Sequence, residues 1–179
     1  MTGRRDPEGR RRRITEAACQ VIAESGLDAV THRLVAARAG VPLGATTYYF
    51  ATLDDLTAAA LRYAADLSAQ ELGVWETALR DGADVPTTLA ELTGAYLVDR
   101  PRALTEMQLY LAAAYRPELR PAARIWADGL TDILGAHAAP EAARAAVTYL
   151  DGVLLHALTR DEPPSTPSLA ATLAVMLAS

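Results

Sequence analysis

Apolar positions recur at three- and four-residue spacing along most of the chain. Between residues 10 and 24, Ile14, Ala17, Ala18, Val21 and Ile22 keep helical period and Ser25-Gly26 supplies a stop, which predicts a first helix. Thr31 suits the N-cap of a short helix through Leu34, Val35 and Arg38, closed by Gly40 as a left-handed residue. Val41 leads into Pro42, a residue favoured at the first position of a helix, so a third helix follows after a turn of only a few residues. Two short helices joined this tightly cross steeply, as in a helix-turn-helix.

A fourth helix opens at Thr52, whose hydroxyl caps while Asp55 reaches back, and runs to about Asp81 with Leu56, Ala60, Tyr63, Leu67 and Val74 as its apolar stripe. Further helices are predicted over residues 86–98, 104–115, 118–137, 141–159 and 167–178, each bounded by Pro, Gly or Asp signals. No stretch alternates with period two for long enough to argue a strand, and the prolines of "RDEPPSTP", residues 160–167, make that segment a loop. The expected fold is all-α: an N-terminal arm and helix-turn-helix DNA-binding domain over 1–51, then a helical bundle over 52–179 for ligand binding and dimerisation.

The stretch "AGVPLGATTYYF", residues 39–50, is rich in Gly, Thr and Tyr, which are poor choices for a plain surface helix. At 100° per residue, Leu43, Gly44, Thr47 and Tyr48 fall on one side and Ala45, Thr46 and Tyr49 on the other, so one face packs and one is displayed. A displayed glycine permits close approach of another backbone, and Thr and Tyr hydroxyls donate to phosphate oxygens or touch base edges in a major groove. The helix has the character of a DNA reader.

Residues 14–61, from "ITEAACQVIAESGLDAVTHRLVAARAGV" through the aromatic pair and Phe50 to "TLDDLTAAAL", resemble the N-terminal DNA-binding domain of the TetR family of bacterial transcriptional regulators. The resemblance implies that Thr31 caps the second helix and contacts phosphate, and that Arg33 reaches a phosphate or a base. It implies further that Leu43, Gly44 and Ala45 face bases, that Tyr48 and Tyr49 touch the DNA backbone, and that Phe50 is a core aromatic; Thr47 completes the expected DNA-binding set. Two positions depart from the family pattern: the typical tyrosine falls at Thr47, and the lysine that anchors the fourth helix on phosphate falls at Leu53. The arginines from Arg4 to Arg13 either compensate as phosphate contacts or form a solvated tail.

Charge bears on that choice. The net charge of −5 hides an asymmetry, because residues 1–50 hold eight Arg against five acids and the remainder nine Arg against seventeen acids. All seventeen basic residues are Arg, which favours bidentate phosphate contacts but also follows from a genome's base composition. Cys19 is the single cysteine, a small core residue that excludes an intramolecular disulfide. No apolar run reaches membrane-span length and the N-terminus lacks the apolar core of a signal peptide, so a cytoplasmic protein without membrane partners is expected. His32, His137 and His156 form no metal-spaced pair, and there is no phosphate-cradling loop or nucleophile elbow. No catalytic, metal or cofactor site is expected, and the protein is not read as an enzyme.

"AARAAVTYLDGVLLHALT" and the final helix are apolar on nearly all sides, so each needs cover on nearly all sides. A homodimer whose partner covers Val147, Leu150, Val153, Leu154, Leu158, Leu169, Leu173 and Met176 meets that need, and the resemblance implies the same. Two reading helices related by a two-fold axis call for a palindromic duplex operator. Aromatic and sparse polar groups on apolar faces suggest a small-molecule effector site: Tyr63 and Gln70; Tyr96; Met107, Gln108 and Tyr115; Trp126 and His137. By resemblance the regulator is a repressor. The rival reading is a helical dimeric adaptor or small-molecule carrier that has lost DNA binding, and salt-dependent affinity for duplex DNA separates the two.

Overall fold

The computed structural model of the chain describes residues 6–82, 84–160 and 164–178, and all regular structure among them is helical. It divides into two compact units, one running to Ala64 and the other from Ala65 onward.

The first unit opens with α1, Pro7–Ser25, which starts ahead of the predicted residue 10 because the Asp6 carboxylate accepts from the Gly9 N–H at 2.8 Å and Pro7 suits the first turn. Its buried face is Ile14, Ala17, Ala18, Val21 and Ile22, and the chain leaves it at Gly26 with φ 85°. A short 3-10 turn, Leu27–Ala29, leads to α2, His32–Ala39, which packs on α1, and then to α3, Leu43–Tyr49, which packs on α2. Helix α4, Leu53–Asp81, begins just after the expected boundary at 51/52, but by packing the first unit continues to Ala64, with Leu56, Ala58, Ala60 and Leu61 on the first turns of α4 buried.

The second unit comprises the rest of α4 with α5, Val85–Val98; α6, Arg100–Tyr115; a 3-10 turn, Pro117–Leu119; α7, Arg120–Gly135; α8, Pro140–Arg160; and α9, Thr166–Leu177. Helix α5 lies against α9, α7 against both α6 and α8, and Leu79, Leu89, Leu130, Leu134 and Leu173 are almost wholly withdrawn from solvent. Burying a leucine side chain contributes about 1.5–3 kcal/mol, so this layer holds the bundle together.

Three local expectations are corrected. On α4 the predicted stripe fails beyond its third turn: Leu67 and Val74 are exposed, and Leu72, Trp75 and Leu79 are buried instead. A second stripe of nearly the same period runs beside the first, and it is this one, with Leu72, Trp75 and Leu79, that the bundle buries. Helix α6 begins at Arg100 and not 104, since Asp99 caps it by accepting from the Arg102 N–H at 3.3 Å. Helix α7 begins at Arg120, the segment before it being the 3-10 turn. Of the predicted loop 160–167, residues 161–163 lie outside the described residues, while Arg160 closes α8 and Thr166 opens α9. No helix among the described residues is long and apolar enough to cross a membrane.

Candidate nucleic-acid interface and buried polar core

The turn between α2 and α3 is built from three local devices. Thr31 Oγ1 accepts from the Leu34 N–H at 3.1 Å and fixes the start of α2. Gly40 takes the left-handed conformation, φ 63° and ψ 38°, while its N–H and that of Val41 return to carbonyls of the last turn. A β-carbon at that φ is strained, which is why glycine stands there. Pro42 then precedes α3 as its cap residue, one position earlier than predicted, and its carbonyl accepts from the Ala45 N–H at 2.8 Å.

On α3, Leu43, Gly44, Thr47 and Tyr48 are exposed, Ala45 and Tyr49 are half-buried, and Thr46 is fully buried with Oγ1 donating to the Leu43 carbonyl at 2.8 Å. Phe50 closes the helix as a buried aromatic under the Arg11 guanidinium, 5.2 Å from the ring centroid. Tyr48 is 80% exposed and meets the Tyr49 ring edge to face at 5.1 Å. Gly44 has ordinary helical backbone, and a β-carbon added there meets nothing within 4 Å. Nothing inside the protein therefore calls for a glycine, which costs helix stability relative to alanine.

Around this face, Thr31 and Arg33 are exposed. Arg38 is held by a two-pronged bond to Glu24 at 2.8 and 2.6 Å, and these hydrogen bonds, with the guanidinium charge, keep the Glu24 carboxyl below the usual range. Thr52 and Asp55 form the expected reciprocal cap, Asp55 N–H to Thr52 Oγ1 at 3.0 Å and Thr52 N–H to Asp55 Oδ2 at 3.2 Å, leaving Leu53 40% exposed at the start of α4. Arg10 to Arg13 stand on the first turns of α1 and are exposed, with Arg12 near Glu16 at 3.5 Å; Arg4 and Arg5 lie outside the described residues.

The predicted effector residues do not converge. Tyr63 belongs to the first unit, where burial, and after it the nearby Glu16 carboxylate of α1, push its hydroxyl pKa up. Gln70, Tyr115 and His137 are exposed, Tyr115 to 82%, and Met107 and Gln108 are half-buried. Tyr96 and Trp126 do come together, with rings stacked at 5.4 Å, and Trp75 packs edge-on against both at 6.4 and 4.8 Å. Beside them lies Glu106, 5% exposed, accepting hydrogen bonds from the hydroxyls of Tyr96 and Tyr110. Burial pushes its carboxyl up, and the same cause raises Asp151 of α8 to about 6. Arg102 lays its guanidinium over the Tyr96 ring, 5.0 Å from the centroid, and pairs with Glu71 at 3.1 Å.

Trp75, Glu106, Tyr110 and Asp151 were not picked out in the sequence. Helix α6 is apolar on two faces; the pattern put Met107, Gln108 and Tyr115 on the chosen face, whereas the buried face includes Ala103, Glu106, Leu109 and Ala113. An acid inside that second stripe was the available signal. Of the predicted dimer set, Val147, Leu150, Leu154, Leu158, Leu169 and Leu173 are buried within the single chain, and Val153 and Met176 are half-buried. The large apolar residues that α8 and α9 leave in solvent are Leu155, 51% exposed, and Val175, 73% exposed. Periodicity identifies apolar faces but not which one the protein's own bundle takes.

Comparison with known proteins agrees with both halves. The family described as "Bacterial regulatory proteins, tetR family" matches residues 14–60, and "Tetracyclin repressor-like, C-terminal domain" matches residues 80–179. Among solved structures, the multidrug binding protein EbrR complexed with imidazole is 43% identical with a TM-score of 0.81, covering 96% of each chain. EbrR has also been solved with proflavin, ethidium and malachite green. A TetR-family member, SCO1917 from Streptomyces coelicolor A3, is 44% identical with a TM-score of 0.81 over 94% of this chain and 98% of that one. The HTH-type transcriptional regulator PksA of Bacillus subtilis (strain 168) is 44% identical over 57 residues, a stretch that spans 28% of its length.

Proposed function

Because this chain belongs to the TetR family of transcriptional regulators, with a helix-turn-helix DNA-binding domain and a C-terminal ligand-binding domain, we propose that it is a homodimeric repressor, released from a palindromic operator by an aromatic cation. The observation that carries the DNA half is Gly44: an exposed helical glycine with open space where a side chain would go, flanked by Leu43, Thr47 and Tyr48 on the displayed face of α3. Such a face is shaped for an external surface that approaches the backbone closely. Thr31 and Arg33 add contacts to phosphate, and the exposed arginines at residues 10–13 supply charge where Thr47 and Leu53 replace the family's usual anchors.

The effector reading is supported by the buried acid. Glu106 accepts from two hydroxyls beside three packed aromatic rings, which is the chemistry that holds a flat or bulky organic cation. The dyes bound by EbrR, a relative 44% identical in those three complexes, are of this kind. Trp75 lies on α4, the helix whose opening turns belong to the DNA-binding unit, so an effector that displaces Trp75 acts on an element shared with the reading domain. Release requires only that the cation bind the two states with different affinity. Leu155 and Val175 are the apolar surface offered to the second copy.

Selection of bound sequences from a random duplex pool tests the proposal, with Tyr48→Ala in parallel. Enrichment of a palindrome with half-sites about one helical turn or slightly more apart, lost in the variant, supports it. A non-palindromic product or no enrichment at low salt refutes it.

A further inference from the structure

We infer that α3 reads its operator through thymine methyl groups, with Leu43 as the specificity-determining contact, and not through hydrogen-bonded purine edges. The inference rests on the DNA-binding reading and adds which base edges are read. Guanine is normally recognised by an Arg or Lys fork, adenine by Asn or Gln, and the cytosine amino group by Asp or Glu. The helix sequence "LGATTYY" contains none of these. Of its two threonine hydroxyls, that of Thr46 is buried and donates to the Leu43 carbonyl at 2.8 Å, and that of exposed Thr47 donates its proton to the Gly44 carbonyl at 3.3 Å. Of the arginines on α2, Arg38 is held by Glu24, and Arg33 stands on the helix that crosses the DNA backbone in this motif.

What the displayed face does offer is apolar and close-fitting. Leu43 opens α3 half in solvent, at 50% exposure, and Gly44 beside it presents bare backbone over open space. Ala45, half-buried, adds another small apolar group. The one apolar group on the major-groove edge of a base pair is the C5-methyl of thymine. An isobutyl group set beside an open glycine is matched to that methyl and to no other feature of the groove.

The test uses the full-length protein and the duplex recovered from random-pool selection. At the thymines of each half-site nearest α3, deoxyuridine is substituted, which keeps every hydrogen-bonding group and removes one methyl. Loss of one buried methyl corresponds to about fourfold in affinity, hence about fifteenfold across two half-sites. The parent protein is expected to weaken by about that factor, whereas Leu43→Ala binds the thymine duplex more weakly and does not distinguish it from the deoxyuridine duplex. Residue 43 is half exposed, and an unchanged melting temperature shows that the variant is folded. The inference is overturned if the parent binds both duplexes equally, if Leu43→Ala still discriminates, or if the half-sites enriched carry only G·C pairs at these positions. A pool with no enriched duplex overturns the DNA-binding reading itself, and this inference with it.

Discussion

Replacing Gly44 with alanine separates a residue chosen for folding from one chosen for DNA. Within a helix, alanine is favoured over glycine by about 0.5–1 kcal/mol, because glycine loses more backbone freedom on folding. The added methyl meets nothing within 4 Å and the backbone there is helical, so no clash offsets the gain. The variant should therefore melt higher by about 1–4 °C, read by far-ultraviolet circular dichroism. At the DNA surface the same methyl enters a space reserved for close approach, and overpacking of that kind costs about 1–3 kcal/mol per contact. Doubled across a palindrome, this is a loss of tenfold or more in affinity for the selected duplex, measured by fluorescence anisotropy. A variant that melts lower than the parent, or that binds the duplex as tightly, refutes the reasoning.

Other predictions follow from the buried core and the caps. The Asp151 carboxyl, raised by burial from 3.8 to about 6, adds stability that is present below about pH 4 and lost as pH rises through 6. The full conversion is roughly 3 kcal/mol, reduced by partial solvent access to about 1–2 kcal/mol, so Asp151→Asn should raise Tm at pH 7.5 by about 2–6 °C and leave it unchanged at pH 4; an equal gain at both pH values contradicts the assignment. Tetraphenylphosphonium affinity, read from the emission of Trp75 and Trp126, which are the protein's two tryptophans, should rise between pH 5 and 8, because Glu106 and Asp151, both pushed up by burial and facing Asp99, Arg102 and Glu71 nearby, must ionise to face a cation; a flat profile speaks against carboxylate recognition. Thr52→Ala removes the reciprocal cap with Asp55 and should cost about 1 kcal/mol in urea unfolding. The Cys19 thiol, pushed by burial up to about 11, should be alkylated by iodoacetamide far more slowly in the native protein than in urea at pH 8.

The reading head was legible in the sequence because it is specified locally. Thr31, Gly40, Pro42 and the Thr52–Asp55 pair each act within a few residues, and the wheel of α3 separates Thr46 from Leu43, Gly44, Thr47 and Tyr48 without knowledge of anything distant. The bundle was legible only as a set of helices. Helices α6, α8 and α9 are apolar on more than one side, so which side turns inward is decided by partners far along the chain, as with α5 lying on α9. That is why Leu169 and Leu173, expected under a second subunit, are core residues of a single chain, and why Tyr115 is in solvent while Glu106 is not. Glu106 was hidden for a further reason: a glutamate is ordinarily a surface residue, and only its place between Ala103 and Leu109 on the inward stripe marks it as buried.

Release of operator DNA by an aromatic cation is the most direct test of the whole account. A fluorescent copy of the selected palindrome is bound to the protein and titrated with tetraphenylphosphonium, whose tetrahedral shape keeps it from intercalating, while tryptophan emission is followed in the same cuvette. Loss of anisotropy over the concentrations that change the emission, abolished together with that change in Glu106→Gln, is the predicted result. A complex that stays intact while the emission of Trp75 and Trp126 saturates contradicts it.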